Sequence, residues 1–172
     1  MIQDFDVTRD HRFSETRWFE DFQVGEKFWI PSRTQTDALF SAFQLASGDN
    51  DPIHYDREYC QRRGHPDLLA HGLQVMIQTA AGAGVFPHMV SDSLVAMLEC
   101  SAKFLGAVHA GDTLYPMLEI TEVVAQNTTG LIAMRATVHN QKSELVLEGV
   151  HRYLLRKRPT QASANALSTK GS

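Results

Sequence analysis

The chain has 172 residues, 43% apolar and 21% charged, and its 16 Lys and Arg against 20 Asp and Glu give a formal net charge of −4. This length suits one domain with a sizeable core. The negative charge argues against partners held by bulk positive charge, namely nucleic acids and anionic membranes. No apolar run approaches the roughly 20 residues of a membrane helix, and the amino terminus lacks the apolar core of a signal peptide. With only two cysteines, far apart in sequence, we expect a cytoplasmic protein with reduced thiols.

The two ends of the chain differ in composition from its middle. Residues 1–16 are polar without a sustained period, which predicts a flexible amino-terminal segment. Residues 158–172 consist largely of Ser, Thr, Ala and Lys and predict a disordered tail, because they can bury too little apolar surface to become ordered. Residues 17–157 contain neither a repeat nor an internal linker and predict one domain.

Two stretches have helical periodicity. Thr36 is placed to cap a short helix that ends at Gly48, with an apolar stripe formed by Leu39, Ala42, Phe43 and Ala46. A second helix is predicted to begin at Gly72 and to end near Pro87. Its apolar residues recur at i, i+3, i+4, i+7, i+8 and i+11, and its other faces are hardly polar, which predicts a long helix surrounded by protein. That stripe consists of Leu73, Met76, Ile77, Ala80, Ala81 and Gly84.

Beyond Ser91 the hydrophobic period changes from 3.6 to 2, as is typical of half-buried strands. Four such runs, separated by turn-like segments, cover residues 94–104, 113–124, 131–140 and 145–156. Sequential strands with short connections predict an antiparallel meander. One enclosed helix before such a meander predicts an α+β domain in which a curved sheet wraps the helix.

The segment SGDNDPIHYD at residues 47–56 carries the strongest chemical signal. Asp49 and His54 are five residues apart, so on a continuous helix their side chains would point about 140° apart. Pro52 has a fixed φ and favours a turn that lets them converge. A carboxylate and an imidazole on one rigid loop can hold a water molecule and exchange protons with it. The alternative is that Asp49 only caps a helix and His54 lies on the surface.

This segment closely resembles the hydratase-2 signature of the MaoC-like dehydratase family, the (R)-specific enoyl-CoA hydratases. Ala70-His71-Gly72 is similar to the family's Ala-His-Gly step, and the KFL and GDT segments at residues 103–105 and 111–113 are similar to its strand–loop–strand signature. The early segment RWFEDFQVGEKF also resembles the family's amino-terminal stretch. Together these similarities span most of residues 17–156 in the order the family has them.

The resemblance implies a hot-dog fold, in which a long central helix is wrapped by a curved antiparallel sheet, and which is usually paired into dimers. It implies that Asp49 and His54 activate the water that is added across a trans-2-enoyl-CoA to give a 3-hydroxyacyl-CoA. The substrate would be a coenzyme A thioester, without a separate cofactor. We therefore expect a homodimer or a higher homo-oligomer that acts on acyl-CoA.

Gly72 and His71 complete the expected site. A helix N-terminus offers unpaired N–H groups, so the backbone of Gly72 is a candidate donor to the thioester oxygen; a simple helix entry is the alternative. For His71 we expect a role in positioning other groups, or a place in the core, rather than that of a second base. The eight histidines form no ligand cluster on one element, and we expect no metal.

Two residues depart from the family pattern. Asp51 stands where the family usually has Asn, and it would oppose ionisation of Asp49 if it faced the site but matter little if it faced solvent. Ala80 stands where the hydratases often have a serine that supports the catalytic aspartate, and the adjacent Thr79 points to a different helix face. Thioester hydrolysis and non-catalytic binding of an acyl thioester therefore stay open. The basic residues at 152–158 either contact the phosphates of coenzyme A or form a solvated strand end.

Overall fold

The fold is described from a computed structural model, which covers residues 4–7 and 9–159. The tail predicted from residue 158 onward therefore lies, from residue 160, outside the described residues, as do residues 1–3 and 8 of the amino-terminal segment. Close to the predicted borders, the Thr16 hydroxyl donates to Asp92 at 2.7 Å and Arg158 forms an ion pair with Asp21 at 2.7 Å. The borders themselves stay predictions.

In the part of the chain that the structure describes, six antiparallel strands form the sheet. They are β1 (Lys27–Trp29), β2 (Arg33–Thr34), β3 (Leu94–Phe104), β4 (Thr113–Ala125), β5 (Thr129–His139) and β6 (Leu145–Arg156). The four runs with a period of two correspond to β3–β6 within two residues at each end. The strand order is β1-β4-β5-β6-β3, with β2 beside β4.

The prediction of a four-strand meander is wrong for its first strand. The strands β4, β5 and β6 form a meander, whereas β3 pairs with β6 and lies at the edge of the sheet. The connection after β3 does not make a hairpin, because it is tied to another part of the chain: His109 forms a bridge with Leu69, and Ala110 N–H donates to the Leu68 carbonyl. The connection therefore takes the chain from β3, which lies beside β6, to β4 at the opposite side of the meander.

The two faces of the sheet differ, as the alternation predicts. The inner face supplies Leu118, Ile120, Ile132, Met134 and Leu155 to a buried apolar cluster. The outer face carries ion pairs, in which Arg152 binds Glu99 and Glu122 and Arg135 binds Glu148. An apolar face toward the core and a charged face toward water is the usual arrangement of an antiparallel sheet in an α+β domain.

The helices are short. They are α1 (Asp37–Ser47), α2 (Arg57–Arg62), α3 (Gly72–Met76) and α4 (Phe86–Met89), with single 3-10 turns at Phe19–Asp21, Pro52–His54, Ile77–Thr79 and Ala81–Ala83. The cap predicted for α1 is confirmed, since the Thr36 hydroxyl accepts a hydrogen bond from Leu39 N–H and Gly48 ends the helix in the left-handed region. The predicted stripe is displaced: Phe40 is buried, whereas Ala42 and Ala46 are exposed.

The prediction of one long central helix from Gly72 to near Pro87 is wrong. The helix α3 has five residues, and two 3-10 turns follow it, separated by Ala80 with an extended ψ of 116°. Alanine and glycine dominate this stretch, and Gly82 and Gly84 lower its helix propensity. Gly84 also packs closely against β1, since a Cβ atom at this position would lie 3.1 Å from the carbonyl oxygen of Trp29.

This helical layer is not enclosed on all sides either. More than half of the Leu73 and Ile77 side chains is exposed, so the expectation of a helix surrounded by protein is wrong within a single chain. Both residues lie on the first two helical turns after His71. Among the described residues, no helix has both the length and the apolar character needed to cross a bilayer.

Candidate active site

A tightly turned loop follows α1 and carries the expected catalytic pair. Gly48 has a φ of 72°, which turns the chain away from the helix axis. Asp51 then caps the 3-10 turn Pro52–His54, its side chain accepting a hydrogen bond from Ile53 N–H at 3.0 Å. This turn returns His54 toward Asp49. Asp51 is thus an exposed cap, a role that the family's Asn can fill equally well.

Asp49 and His54 converge as predicted. The distance from Asp49 Oδ2 to His54 Nε2 is 3.9 Å, which is too long for a direct hydrogen bond. His54 Nδ1 lies 2.6 Å from the Leu69 carbonyl oxygen, which can only accept, so this nitrogen carries the proton. In the neutral ring Nε2 is then an acceptor facing the carboxylate. One water molecule can donate a hydrogen to each of the two groups, which leaves its lone pairs free.

His71 supports this pair from within the protein. Its ring is buried, at 2% exposure, and is stacked on that of His54 with a centroid distance of 3.5 Å and an angle of 22° between the rings. His71 Nε2 lies 3.2 Å from the Asp49 carbonyl oxygen, and Nδ1 lies 3.1 Å from Gln74 Oε1. Both ring nitrogens have partners, so the contacts of His71 are those of a positioning residue and not of a second base.

Asp49, His54 and His71 also form the one group of three candidate metal ligands found among the described residues, with ligand atoms all within 4.8 Å of one another. Their geometry is unfavourable for a metal ion. A nitrogen lone pair lies in the plane of its imidazole, and the lone pairs of two stacked, nearly parallel rings do not point at a common centre. Three of the four ring nitrogens already have partners. That the site holds no metal nevertheless stays a prediction.

Gly72 begins α3 directly beside the pair. No described residue accepts a hydrogen bond from its N–H, as expected in the first turn of a helix. A Cβ atom at this position would lie 3.2 Å from the Phe104 ring. Packing against Phe104 therefore explains the glycine, while its N–H is available to a ligand. The same contact joins the site to the edge strand β3.

Thr79 does not replace the missing serine at Ala80. Its hydroxyl donates to the Met76 carbonyl at 2.7 Å and lies 3.0 Å from His151 Nε2, so it is committed to a separate buried network. The Asp49 carboxylate instead accepts a long hydrogen bond, 3.4 Å, from the backbone N–H of Asp51. Within the loop, the Asp49 carboxylate thus has one long backbone hydrogen bond, and Ala80 offers it no side-chain donor.

Sequence reasoning missed three contributors. The Leu69 carbonyl orients His54, and two fully buried amides, Gln74 and Gln35, continue the contacts of His71 into the core. A polar residue three positions after His71 on an otherwise apolar helix is a signal for Gln74, whereas nothing local marks Gln35.

Of the basic residues at 152–158, Arg152 and Arg158 are held in ion pairs with acidic residues, which favours a solvated strand end over contacts with coenzyme A phosphates for these two.

The chain is similar to known proteins both in sequence and in structure. Protein MaoC from Klebsiella aerogenes is 29% identical over 112 residues, which are 63% of this chain but only 32% of that protein. The match thus spans about a third of the curated relative. The structure of a monoamine oxidase regulatory protein from Archaeoglobus fulgius superposes with a TM-score of 0.79 at 27% identity, covering 86% of this chain and 99% of that chain.

Two further structures show the fold. The R-hydratase PhaJ1 from Pseudomonas aeruginosa superposes with a TM-score of 0.70 at 22% identity, covering 82% of this chain and 86% of that chain. The protein RV0216 from Mycobacterium tuberculosis, described as a double hot-dog fold, gives 0.71 at 25% identity over 84% of this chain and 45% of that chain. The expected hot-dog fold is confirmed. Because the family described as "MaoC like domain" matches residues 21–143, the chain belongs to the MaoC-like family.

Proposed function

We propose that the protein is a hydro-lyase that reversibly adds water to a trans-2-enoyl-CoA, giving a 3-hydroxyacyl-CoA without a separate cofactor. The observation that carries the proposal is the Asp49–His54 pair, two acceptors 3.9 Å apart. Gly72, whose N–H donates to no described residue, directly follows His71, and the His71 ring stacks on His54. Acceptors at this distance suit a water molecule held by both of its hydrogens. A family in which a structural relative is named an R-hydratase supports the same chemistry.

The reaction follows from these atoms. The water oxygen adds to Cβ while one of its protons passes to the pair, and the electrons of the double bond move toward the thioester oxygen. The Gly72 N–H, in the first turn of α3, is proposed to donate a hydrogen bond to the resulting enolate oxygen; one such donor contributes on the order of 10²–10³ in rate. The pair then returns the proton to Cα. The product carries the hydroxyl on Cβ and a hydrogen on Cα, and both side chains regain their starting state.

We further propose that the active assembly is a homodimer formed through β3. No other described strand pairs with one edge of β3, and Met97, Leu98 and Phe104 on this strand are about half exposed. Leu73 and Ile77 extend the apolar surface across the helical layer. Exposed apolar surface of this kind marks interfaces. Since Phe104 lies against Gly72, a second copy on this edge would also cover the open side of the site.

The catalytic pair is tested by replacing each member. We expect Asp49→Asn and His54→Ala to lower the rate of hydration of crotonyl-CoA and of branched enoyl-CoAs by about 10²–10⁴. The matched control is Asp56→Asn, which makes the same change of charge at a nearby residue whose side chain caps α2; it should retain the wild-type rate. Wild-type turnover by either variant of the pair would show that the assignment is wrong.

The same assays separate the alternative functions. Release of free thiol from an acyl-CoA, without loss of the enoyl absorbance, would identify a thioesterase. Tight binding of acyl-CoA with no turnover over a broad panel of acyl groups would identify a binding module. Either result would replace the hydratase proposal.

The dimer is tested by placing a charged side chain on β3, in the middle of the proposed interface. Leu98→Glu should convert the dimer to a monomer in analytical ultracentrifugation and lower the hydration rate, because a carboxylate on the unpaired edge opposes docking. Val124→Glu is the control, since Val124 is similarly exposed but lies on β4, at the other side of the meander. A monomeric wild-type protein with full activity would overturn this assembly.

A further inference from the structure

A small cavity, which we call the distal cavity, lies between the helical layer and the segment that joins β1 to β2. Its volume is about 60 Å³, and it is lined by residues 30–33 and by Ile77, Gln78 and Ala83. One water molecule needs roughly 10–15 Å³ of such space, so the cavity has room for several waters or for one small group of a ligand. Neither member of the catalytic pair lines it, so it is separate from the candidate site.

Gln78 brings a buried acceptor to the distal cavity. Its side chain is only 7% exposed, and its Nε2 donates to the Gln74 backbone carbonyl at 3.0 Å. Because a carbonyl oxygen only accepts, the NH2 group must face Gln74, and Oε1 is turned away from that carbonyl. In the described part of the chain no group donates to this Oε1, and yet the atom is not sealed from solvent. A buried acceptor without a partner is costly, so Oε1 needs a hydrogen from water or from a ligand in the cavity.

Arg33 supplies the opposite polarity at the rim of the distal cavity, where it is exposed. Arg57, Arg135 and Arg152 each bind an acidic side chain, whereas Arg33 forms no ion pair with a described residue. Its five N–H groups are therefore available to donate to a ligand. Apolar side chains surround these polar groups, since Ile30 is buried against the cavity and Ile77 lies half exposed beside it.

Arg33 and Gln78 together select one kind of ligand group. The guanidinium of Arg33 only donates hydrogen bonds, and Gln78 Oε1 only accepts them. A hydroxyl group can satisfy both, because it has one hydrogen and two lone pairs. A carboxylate would satisfy Arg33 but would bring a second acceptor to Oε1, and a methyl group would satisfy neither. The cavity therefore fits a hydroxyl group on a short apolar stem.

An apolar strip connects the start of α3 with the distal cavity. Leu73 directly follows Gly72, and Ile77 lies one helical turn further on, with its N–H donating to the Leu73 carbonyl. More than half of both side chains is exposed. The distance from Gly72 to Gln78 along the helical layer is roughly 9–10 Å. An acyl chain whose thioester oxygen accepts from the Gly72 N–H could therefore lie on this strip and end in the cavity.

We propose that the distal cavity recognises a hydroxyl group at the far end of the acyl chain. In this arrangement Gln78 Oε1 accepts a hydrogen bond from the hydroxyl and Arg33 donates one to it. The proposal rests on the function proposed above for the nature of the chain, and it adds the substrate class, namely enoyl-CoA thioesters with a distal hydroxyl. Gln78 and Arg33 determine specificity and take no part in the addition of water.

Binding to the wild-type protein tests the proposal without any turnover. Thioethers of coenzyme A are neither hydrated nor hydrolysed, so S-alkyl-CoA compounds of increasing chain length can be compared by isothermal titration calorimetry with analogues that end in a hydroxyl. At the chain length that reaches the cavity, the hydroxylated compound should bind about 10-fold more tightly, which corresponds to one net hydrogen bond. Equal affinities at every length would overturn the proposal, and so would tighter binding of a series that ends in a carboxylate.

Substitutions assign the preference to the two polar residues. Gln78→Leu removes the acceptor and should abolish the preference for the hydroxylated compound; Gln78→Met should give the same result if the leucine variant folds poorly. Arg33→Gln should reduce the preference, because a donor of fixed charge is lost at the rim. The matched control is Arg135→Gln, which makes the same change of charge on the outer face of the sheet and should keep the preference. A preference that survives in both Gln78 variants, or that is lost in the control, would overturn the assignment.

The binding experiment and the hydration assay can fail separately. If the wild-type protein prefers the hydroxylated thioethers but hydrates no enoyl-CoA, the distal cavity is supported and the hydratase function is refuted. If it hydrates crotonyl-CoA but binds both series of thioethers equally, the hydratase function is supported and the distal cavity is refuted.

Discussion

Two histidines of this protein are buried to the same extent, at 2% exposure, and yet differ in their partners. His71 has an amide and a carbonyl, whereas His151 has two hydroxyls: Thr79 Oγ1 at 3.0 Å from Nε2, and the Tyr153 hydroxyl at 3.1 Å from Nδ1. Thr79 gives its hydrogen to the Met76 carbonyl and so accepts from Nε2, while Tyr153 donates to Nδ1. Every contact of His151 is satisfied by a neutral ring.

The difference shows that burial alone does not decide the part that a histidine plays in the structure. Burial lowers the pKa of His151 below its ordinary value of 6.5 and raises the pKa of Tyr153 to about 12, so both groups keep their neutral forms. A hydroxyl can donate or accept as its neighbour requires, whereas a carbonyl cannot. The partners therefore separate a structural histidine in the sheet from one that contacts the loop carrying Asp49 and His54.

The largest expected difference between His71 and His151 is in the rate of hydration. His71→Leu removes the ring on which His54 stacks and the contact to the Asp49 carbonyl, so the catalytic loop is free to move; a displacement of about 1 Å can lower a rate on the order of 10²-fold. His151→Leu, with the same loss of a buried imidazole, should change the rate little. Steady-state hydration assays of both variants test this, and equal losses would contradict the separation.

For the free energy of unfolding, we expect the contacts of His151 to matter more than those of His71. Tyr153→Phe leaves His151 Nδ1 buried without a donor, which should lower the free energy of unfolding by about 1–3 kcal/mol. Urea denaturation followed by circular dichroism measures this change. Tyr115→Phe is the control, because Tyr115 is about half exposed and water can replace its hydroxyl contacts. An unchanged midpoint in Tyr153→Phe would show that the network in the sheet contributes nothing.

The sheet could be predicted closely from the sequence, because its signal is local. An inner face buried on β5 and β6 imposes a period of two on the chain, and the predicted ends agree with the observed ones within two residues. The pairing of β3 with β6 could not be predicted, since alternation contains no information on which strand lies alongside. The prediction of one long helix is wrong for a related reason. Ala80 and Gly84 continue the helical spacing, but they have no large side chain whose packing would stabilise a helix.

The candidate site also has one part that is encoded locally and another that depends on long-range contacts. Asp49 and His54 are predicted as a pair because the segment at residues 47–56 resembles the family signature and because Pro52 favours a turn that lets the two side chains converge. The contact between Gln35 and Gln74 joins positions 39 residues apart and depends on how β2 meets α3. No periodicity or turn signal marks such a contact. The residues expected to act chemically are therefore close together in the sequence, whereas the buried amides that continue the contacts of His71 are far apart.

The smallest effect, and the most specific to this comparison, is on the pH dependence of stability. The pKa of His151 is lowered in the folded state, so below pH 6.5 the unfolded chain binds more protons than the folded chain. The stability that the neutral ring contributes is therefore present above pH 6.5. It is lost as the pH falls toward the folded pKa. Burial also lowers the pKa of His109, which adds to the same slope. His151→Leu should therefore flatten, without abolishing, the fall in unfolding free energy between pH 7 and pH 5. Urea denaturation of the wild-type protein and of this variant across the same pH range measures the change, and an equally steep fall in His151→Leu would contradict the assignment of this slope to His151.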